Sequence, residues 1–169
     1  VEVDPRSMSE EALRLERAGR LDEAEAAYQR LLARWPDLPD TWFNLAVLQR
    51  RARRFEAALA SYQQALDRGV SQPEEAHLNR GVIDSDCLRR DEAAAAELHA
   101  ALALNPTFVP ALLNLANLQE DLGQREDALV EQRREMHEQP AIAEQIYVRQ
   151  HDLLEIADAD IDLAGERRG

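Results

Sequence analysis

Residues 16–36 read ERAGRLDEAEAAYQRLLARWP, and three later stretches repeat this pattern with other residues. They are RRARRFEAALASYQQALDRGV at 50–70, LRRDEAAAAELHAALALNP at 88–106 and EDLGQREDALVEQRREMHEQP at 120–140. Successive end points are therefore 34, 36 and 34 residues apart. A unit of this length is one pair of antiparallel helices, which buries its apolar face only against stacked neighbours. The repeat predicts an all-α solenoid of about four helical hairpins.

Small and large residues recur at fixed places within each unit. The second helices carry Ala24, Ala58, Ala94 and Ala128, followed four residues later by Tyr28, Tyr62 and Leu98 in the first three units. The second unit opens with Trp42, Leu45 and Ala46. This pattern resembles the tetratricopeptide repeat, with its W-x2-L-G-x2-Y, A-x3-F and terminal P. The resemblance covers roughly residues 7–140 and implies a right-handed solenoid whose concave surface binds proteins or peptides.

The chain departs from the repeat pattern at a few turns. Arg53 and Arg89 stand where a glycine between the helices is usual, whereas Gly19 and Gly123 keep it. Gly69-Val70 replaces the closing proline of the second unit. In the third unit the spacing predicts one extra residue in the turn between the helices.

Proline positions and apolar spacing predict the boundaries. We expect an N-terminal tail at 1–6, repeat units at about 7–38, 39–72, 73–106 and 107–140, a capping helix at 141–158 and a frayed tail at 159–169. The predicted helices of the four units are 7–17 and 21–35, 39–52 and 55–68, 74–87 and 90–104, and 107–121 and 125–138. The last of these is weak, because Gln132 and Glu135 replace an aromatic and a small residue.

Composition indicates a soluble bacterial protein. All 20 basic residues other than histidine are arginine, which a GC-rich genome explains. The single cysteine, Cys87, excludes an intramolecular disulfide and suits a reducing compartment. The sequence contains neither a recognisable signal peptide nor an apolar run near 20 residues, so a cytoplasmic location is expected.

The net charge of −13 is concentrated in residues 91–169, where 6 arginines face 17 acids. Such a field disfavours nucleic acid and anionic membranes as partners and favours a basic segment near the C-terminal half. The alternative is that these acids only solvate helix faces. Self-association through an uncapped end of the repeat stack is also compatible with the sequence.

Patterns that carry catalysis are missing. The sequence has no P-loop, no G-x-S-x-G, no H-E-x-x-H and no cysteine at metal-ligand spacing from its four histidines. We therefore predict no enzyme activity, no catalytic or metal-binding residues and no cofactor.

Three asparagines form the strongest functional signal. Asn44, Asn79 and Asn114, the asparagine series, recur at intervals of 35 residues in the first helix of successive units. An amide side chain both donates and accepts, so it can hold the N–H and C=O groups of an extended peptide. The series is similar to the asparagine ladder of O-linked N-acetylglucosamine transferases, which implies a role in clamping a peptide backbone. The alternative is that each asparagine caps or bonds the neighbouring helix.

Helical spacing selects further residues for the same face. We expect the groove to include Phe43, Val47, Leu78, Val82, Leu113 and Asn117, with Arg50 at its far rim. The alternative for the apolar members is core packing.

The cluster Arg50, Arg51, Arg53, Arg54 allows two interpretations: a solvated helix end, or a site for an anion or carboxylate. Chaperone-binding repeats of this kind clamp a C-terminal carboxylate with lysine, asparagine and arginine. Because Ser9 and Leu13 stand where the opening lysine and asparagine are needed, that mode of recognition is not expected here.

A further resemblance extends over about fifty residues. The segment from Glu74 to Gly123, EEAHLNRGVIDSDCLRRDEAAAAELHAALALNPTFVPALLNLANLQEDLG, resembles the repeat region of bacterial repeat-containing sulfotransferases, without their phosphosulfate-binding loop. Two functions follow as hypotheses. The first is a peptide-binding scaffold, and the second is a substrate-presenting or regulatory region of a bacterial transferase.

Overall fold

The computed structural model describes residues 4–138, and that part of the chain is helical with no β-strand. Its elements are α1 (Pro5–Arg17), α2 (Leu21–Arg34), α3 (Pro39–Arg51), α4 (Phe55–Asp67), α5 (Pro73–Val82) with a π-helical continuation (Ile83–Cys87), α6 (Asp91–Leu104) and α7 (Val109–Glu138). The predicted all-α fold class is confirmed.

Helices pair in chain order. α1 packs on α2, α3 on α4 and α5 on α6, and each hairpin contacts the next because α2 packs on α3 and α4 on α5. The chain divides into two compact units, residues 1–119 and 120–169. The first contains the three hairpins and the start of α7. Of the second, only the remainder of α7 to Glu138 is described.

Small residues bring the two helices of each hairpin close together. Ala24, Ala58 and Ala94 of the second helices are fully buried. In the third hairpin a methyl group on Gly81 would lie only 3.0 Å from Leu98 and 3.3 Å from the carbonyl oxygen of Ala94. A side chain larger than a methyl group at position 81 would have to push α5 and α6 apart.

The turns within the hairpins share one backbone geometry. Gly19, Arg53 and Arg89 adopt left-handed φ angles of 73°, 60° and 56°. After Gly19 and Arg53 the next amide bonds a carbonyl five residues back, as Arg20 does to Leu15 at 3.0 Å. After Arg89 the amide of Arg90 bonds the carbonyl of Asp84, six residues back, at 2.7 Å. The two arginines therefore keep the conformation that glycine usually provides, at a cost of roughly 1–2 kcal/mol each.

The third unit has the predicted extra residue. It does not lie in the turn, which has three residues as in the other hairpins, but in the π-helical segment Ile83–Cys87. There the amide of Leu88 donates to the carbonyl of Ile83, five residues earlier, at 3.1 Å. A single wide turn of this kind absorbs one inserted residue without breaking the helix.

The N-terminal helix begins before the predicted boundary at residue 7. Asp4 caps α1 by accepting from the amide of Arg6 at 2.9 Å, and Pro5 occupies the first turn. Proline is preorganised for that position, so the helix starts at Pro5.

The predicted break of the fourth unit near Gly123 does not occur. α7 is one helix of 30 residues, and Gly123 is not among the residues with a positive φ. Gln132 stands at the repeat position of the buried residues Tyr28, Tyr62 and Leu98, so a second helix after a turn there would gain little packing. A continuous helix instead keeps its backbone hydrogen bonds. The predicted capping helix 141–158 and tail 159–169 lie outside the described residues.

None of the helices between residues 4 and 138 is both long enough and apolar enough to cross a membrane.

Candidate functional site

Asn44 and Asn79 lie on the face of their helices that points away from the hairpin partner, whereas Asn114 lies on the single long helix α7. Asn44 and Asn79 each precede by two residues the small residue of the hairpin contact, Ala46 or Gly81. Both of these small residues are buried. Two residues correspond to about 200° around a helix, so the amides are directed away from α4 and α6.

The amides bond within their own helices, not to neighbouring ones. Asn79 Nδ2 donates to the carbonyl of Glu75 at 2.8 Å, and Asn114 Nδ2 donates to that of Pro110 at 2.8 Å. Each bond uses one N–H and leaves the second N–H and the Oδ1 acceptor available for a ligand. All three asparagines are half-buried. The alternative that they bridge neighbouring helices is not what the structure contains.

Asn44 differs from the other two asparagines. Its amide makes no recorded hydrogen bond to the described residues, although a carbonyl four residues earlier, that of Asp40, is present as in the other units. The Asn44 side chain can therefore both donate hydrogen bonds to a ligand and accept them from it.

The apolar residues predicted beside the series fall into two groups. Phe43, Val47 and Leu78 are half-buried and pack against the hydrophobic clusters of the hairpins. Phe43 also meets the ring of Tyr62 edge-on, with 5.3 Å between centroids. The other predicted members are Val82, half-buried, and Leu113 and Asn117, both exposed.

The arginine cluster is mostly neutralised by acids, which argues against the anion-site interpretation. Arg51 pairs with Glu16 at 2.5 Å, and Arg54 pairs with Asp22 and Glu25. Arg53 lies 5.8 Å from the ring centroid of Phe55.

Arg50, predicted at the rim, remains without a recorded ion pair among the described residues and is half-buried. Its charge acts on Tyr62, whose hydroxyl is buried without a hydrogen-bond partner. Desolvation raises the pKa of Tyr62 to about 12, and the charge of Arg50 opposes that rise.

A pocket beside Asn44 was not foreseen from the sequence. Its volume is about 210 Å³, and its lining consists of Asp40, Phe43, Asn44, Val70, Ser71 and Gln72. Asp40 Oδ1 accepts from both the amide and the hydroxyl of Ser71, at 3.1 and 2.6 Å. The sequence signals only that the linker 68–72 departs from the repeat by lacking the usual closing proline, and it does not indicate that Ser71 meets Asp40.

The third hairpin contains a polar cluster where the second has apolar residues. His77 and Arg80 occupy the positions of Trp42 and Leu45. Glu97 contacts both of them, at 2.7 Å from His77 Nδ1 and 2.8 Å from Arg80. No group of three histidine, cysteine, aspartate or glutamate residues between 4 and 138 is arranged to hold a metal ion.

Comparison with known proteins identifies the repeat. The family model described as Tetratricopeptide repeat matches residues 9–73 and 43–83. No curated protein matches the chain. The resemblance to sulfotransferase repeats is not shown by these comparisons.

Solved structures with the same fold include complexes with chaperone peptides. The first tetratricopeptide domain of Spaghetti (RPAP3), bound to the HSP90 peptide SRMEEVD, has a TM-score of 0.63 at 22% identity, covering 73% of this chain and 98% of that one. The second such domain of human RPAP3, in complex with the HSP70 peptide SGPTIEEVD, has 0.60 at 18%, covering 69% and 98%.

A bacterial structure shows the same similarity. A tetratricopeptide repeat protein from Parabacteroides merdae has a TM-score of 0.66 at 23% identity, covering 74% of this chain and 48% of that one. At these identities the likeness concerns the fold. The chain therefore contains tetratricopeptide repeats, which the family model matches within residues 9–83, and it has the fold of tetratricopeptide-repeat domains.

Proposed function

We propose that this protein is a non-catalytic scaffold that binds an extended peptide through the asparagine series. The observation that carries the proposal is the hydrogen bonding of the asparagine side-chain amides. Asn79 and Asn114 are fixed by bonds to their own helices and keep an unused acceptor and donor. Preorganised amides lose little side-chain entropy on binding, which favours affinity.

The neighbouring side chains support the same mode. Phe43, Val47 and Leu78 are anchored in the hydrophobic clusters while remaining partly exposed. Apolar surface next to fixed amides suits an extended segment, whose backbone the amides hold while alternate side chains contact the apolar surface.

We expect the proposed ligand to differ in charge from the chaperone peptides of the similar structures, which end in the acidic sequence EEVD. On this chain Asp40 and Glu75 each lie four residues before an asparagine of the series. These carboxylates would repel an acidic peptide end. We therefore expect the ligand to be neutral or basic where it passes α3 and α5, and Arg50 to contact any acidic group at the far rim.

The test begins with extended peptides selected from a random display library against the wild-type protein. The triple variant Asn44→Ala/Asn79→Ala/Asn114→Ala is then titrated with the selected peptides by fluorescence anisotropy. Each lost hydrogen bond costs about 0.5–1.5 kcal/mol, so the three together should weaken binding by about two decades. Helicity by circular dichroism should remain unchanged.

The matched control is Gln29→Ala/Gln124→Ala. Both glutamines are exposed helical amides that bond a glutamate four residues earlier, as the asparagines bond a carbonyl. The control should bind like the wild type. Equal affinity of the triple variant would contradict the proposal, and loss of helicity in that variant would show that the asparagines hold the helices together.

A further inference from the structure

The pocket beside Asn44 owes its shape to the departure of one linker from the repeat. The α4–α5 linker has five residues, 68–72, whereas the α2–α3 and α6–α7 linkers, 35–38 and 105–108, have four. Gly69 takes a left-handed φ of 75°, and Val70 bonds back to the carbonyl of Ala65 at 3.0 Å. This path buries Val70 and places Ser71 against Asp40.

The bond between Asp40 and Ser71 fixes one wall of the pocket and leaves acceptors unused. Both contacts from Ser71 go to Oδ1 of Asp40, so the second carboxylate oxygen has no recorded bond among the described residues. Asn44 lies one helical turn further along α3, which separates the Cβ atoms of the two residues by about 5–6 Å. Its amide is likewise unbonded. Two oxygen acceptors at this spacing suit the forked donors of a guanidinium group.

The charge of the site selects a cation. Asp40 is the charged residue of the lining, and Glu74 and Glu75 follow directly in the first turn of α5. The N-termini of α3 and α5 oppose these carboxylates with about half a positive charge each. Three carboxylates outweigh them. Phe43 and Val70 add an aromatic and an aliphatic wall for the stem of a long side chain.

We propose that this pocket binds a basic side chain, with arginine as the best fit, of the extended segment. The assignment deepens the proposed function and rests on it for the identity of the ligand as a peptide. The pocket itself can be tested with small molecules, independently of the asparagine series as a whole.

The experiment titrates the ¹⁵N-labelled protein, residues 1–169, with Nα-acetyl-arginine-N-methylamide and follows the backbone amide of Ser71 and the side-chain amide of Asn44. Saturable shifts of both signals are expected. The citrulline analogue, in which a neutral urea replaces the guanidinium, should bind at least about tenfold more weakly. Equal responses to the arginine and citrulline probes would overturn the proposal.

Two variants locate the site. Asp40→Asn keeps an oxygen that can accept from Ser71 and removes the charge, so binding of the arginine probe should fall at least about tenfold while the Ser71 amide keeps its position. Asn44→Ala should also weaken binding of the arginine probe, and this substitution leaves the Asp40–Ser71 contact intact. Glu92→Gln, which changes an exposed acid in the first turn of α6 outside the pocket lining, is the control and should bind like the wild type. Unchanged binding by both Asp40→Asn and Asn44→Ala would place the probe elsewhere and overturn the proposal.

A third probe separates two sources of positive charge. Glycinamide carries a free amine like that of a peptide N-terminus but lacks the side-chain stem. A response to it as strong as that to the arginine probe would assign the pocket to a chain end and overturn the side-chain assignment. Failure of all cationic probes would remove this pocket from the mechanism without touching the asparagine series, which has its own triple variant.

Discussion

At the scale of single residues, Tyr28 and Tyr62 show how one repeat position can have different surroundings. Both rings are fully buried. The hydroxyl of Tyr28 donates to Glu16 at 3.5 Å, whereas that of Tyr62 has no hydrogen-bond partner. A buried hydroxyl without a partner costs about 1–3 kcal/mol. Tyr62 thus weakens the hairpin that its ring otherwise stabilises.

Replacing Tyr62 by phenylalanine should therefore stabilise the protein. We expect Tyr62→Phe to raise the free energy of unfolding by about 1 kcal/mol, measured by urea denaturation at pH 7. The matched variant Tyr28→Phe loses a long hydrogen bond and should be neutral or slightly destabilised. A clear loss of stability in Tyr62→Phe would mean that its hydroxyl has a partner, such as a bound water.

The same two residues predict sensitivity to alkaline pH. Burial raises the pKa of Tyr28 and of Tyr62 to about 12 in the folded protein, above the ordinary value near 10. The folded state therefore holds protons that the unfolded state has lost, and stability falls as pH rises from 10 to 12. Each tyrosine should contribute about 1.4 kcal/mol per pH unit in that window. Tyr62→Phe should reduce the slope measured by urea denaturation, and an unchanged slope would contradict this assignment.

At the scale of helices, polar contacts fix how one hairpin meets the next. Ser61 donates to buried Gln49 at 2.7 Å, and Gln49 donates to Glu25 at 2.9 Å, so α4, α3 and α2 are linked in sequence. Arg54 pairs with Asp22 and Glu25 across the same boundary. Arg90 pairs in the same way with Glu56 at 2.5 Å. The next equivalent position is Gln124, where this series of arginines ends.

The three hairpins could be predicted from the repeat because individual residues indicate the contacts and boundaries of each helix. Alanines mark the close contacts, prolines mark the starts, and the extra residue of the third unit is countable. The continuity of α7 could not be predicted from Gly123, because glycine permits both a left-handed turn and a helix. Whether the helix turns or continues depends on the packing that a second helix would gain after the turn. In the first unit that packing comes from buried Tyr28 and Leu31, and the fourth unit has the polar residues Gln132 and Glu135 at these positions.

Two glycine substitutions should therefore have opposite signs. Gly123 is helical and a methyl group there meets nothing within 4 Å, so Gly123→Ala should stabilise α7 by about 1 kcal/mol. Gly19 has a φ of 73°, and Gly19→Ala should destabilise by about 1 kcal/mol although space is available. Thermal melts followed at 222 nm would measure both. A destabilised Gly123→Ala would indicate a turn at residue 123 and the fourth hairpin of the sequence prediction.

At the scale of the whole molecule, the site was predictable in part. The asparagine series could be predicted because its period of 35 residues is visible in the sequence. The pocket beside Asn44 could not, because it depends on the path of the linker around Gly69 and on the bond from Ser71 to Asp40. These residues are 31 apart, and nothing in their spacing indicates that they meet.

Net charge gives the last prediction. A chain with a charge of −13 repels itself, and salt screens that repulsion over about 10 Å at 0.1 M and about 3 Å at 1 M. The ion pairs that join hairpins oppose this trend, yet Arg54 and Arg90 are 41% and 48% exposed, and solvent weakens such exposed pairs. We therefore expect the melting temperature at pH 7.5 to rise by a few degrees between 10 and 300 mM NaCl. Near pH 4.7, where the net charge approaches zero, the rise should disappear. A fall at pH 7.5 would show that ion pairs between hairpins outweigh the repulsion.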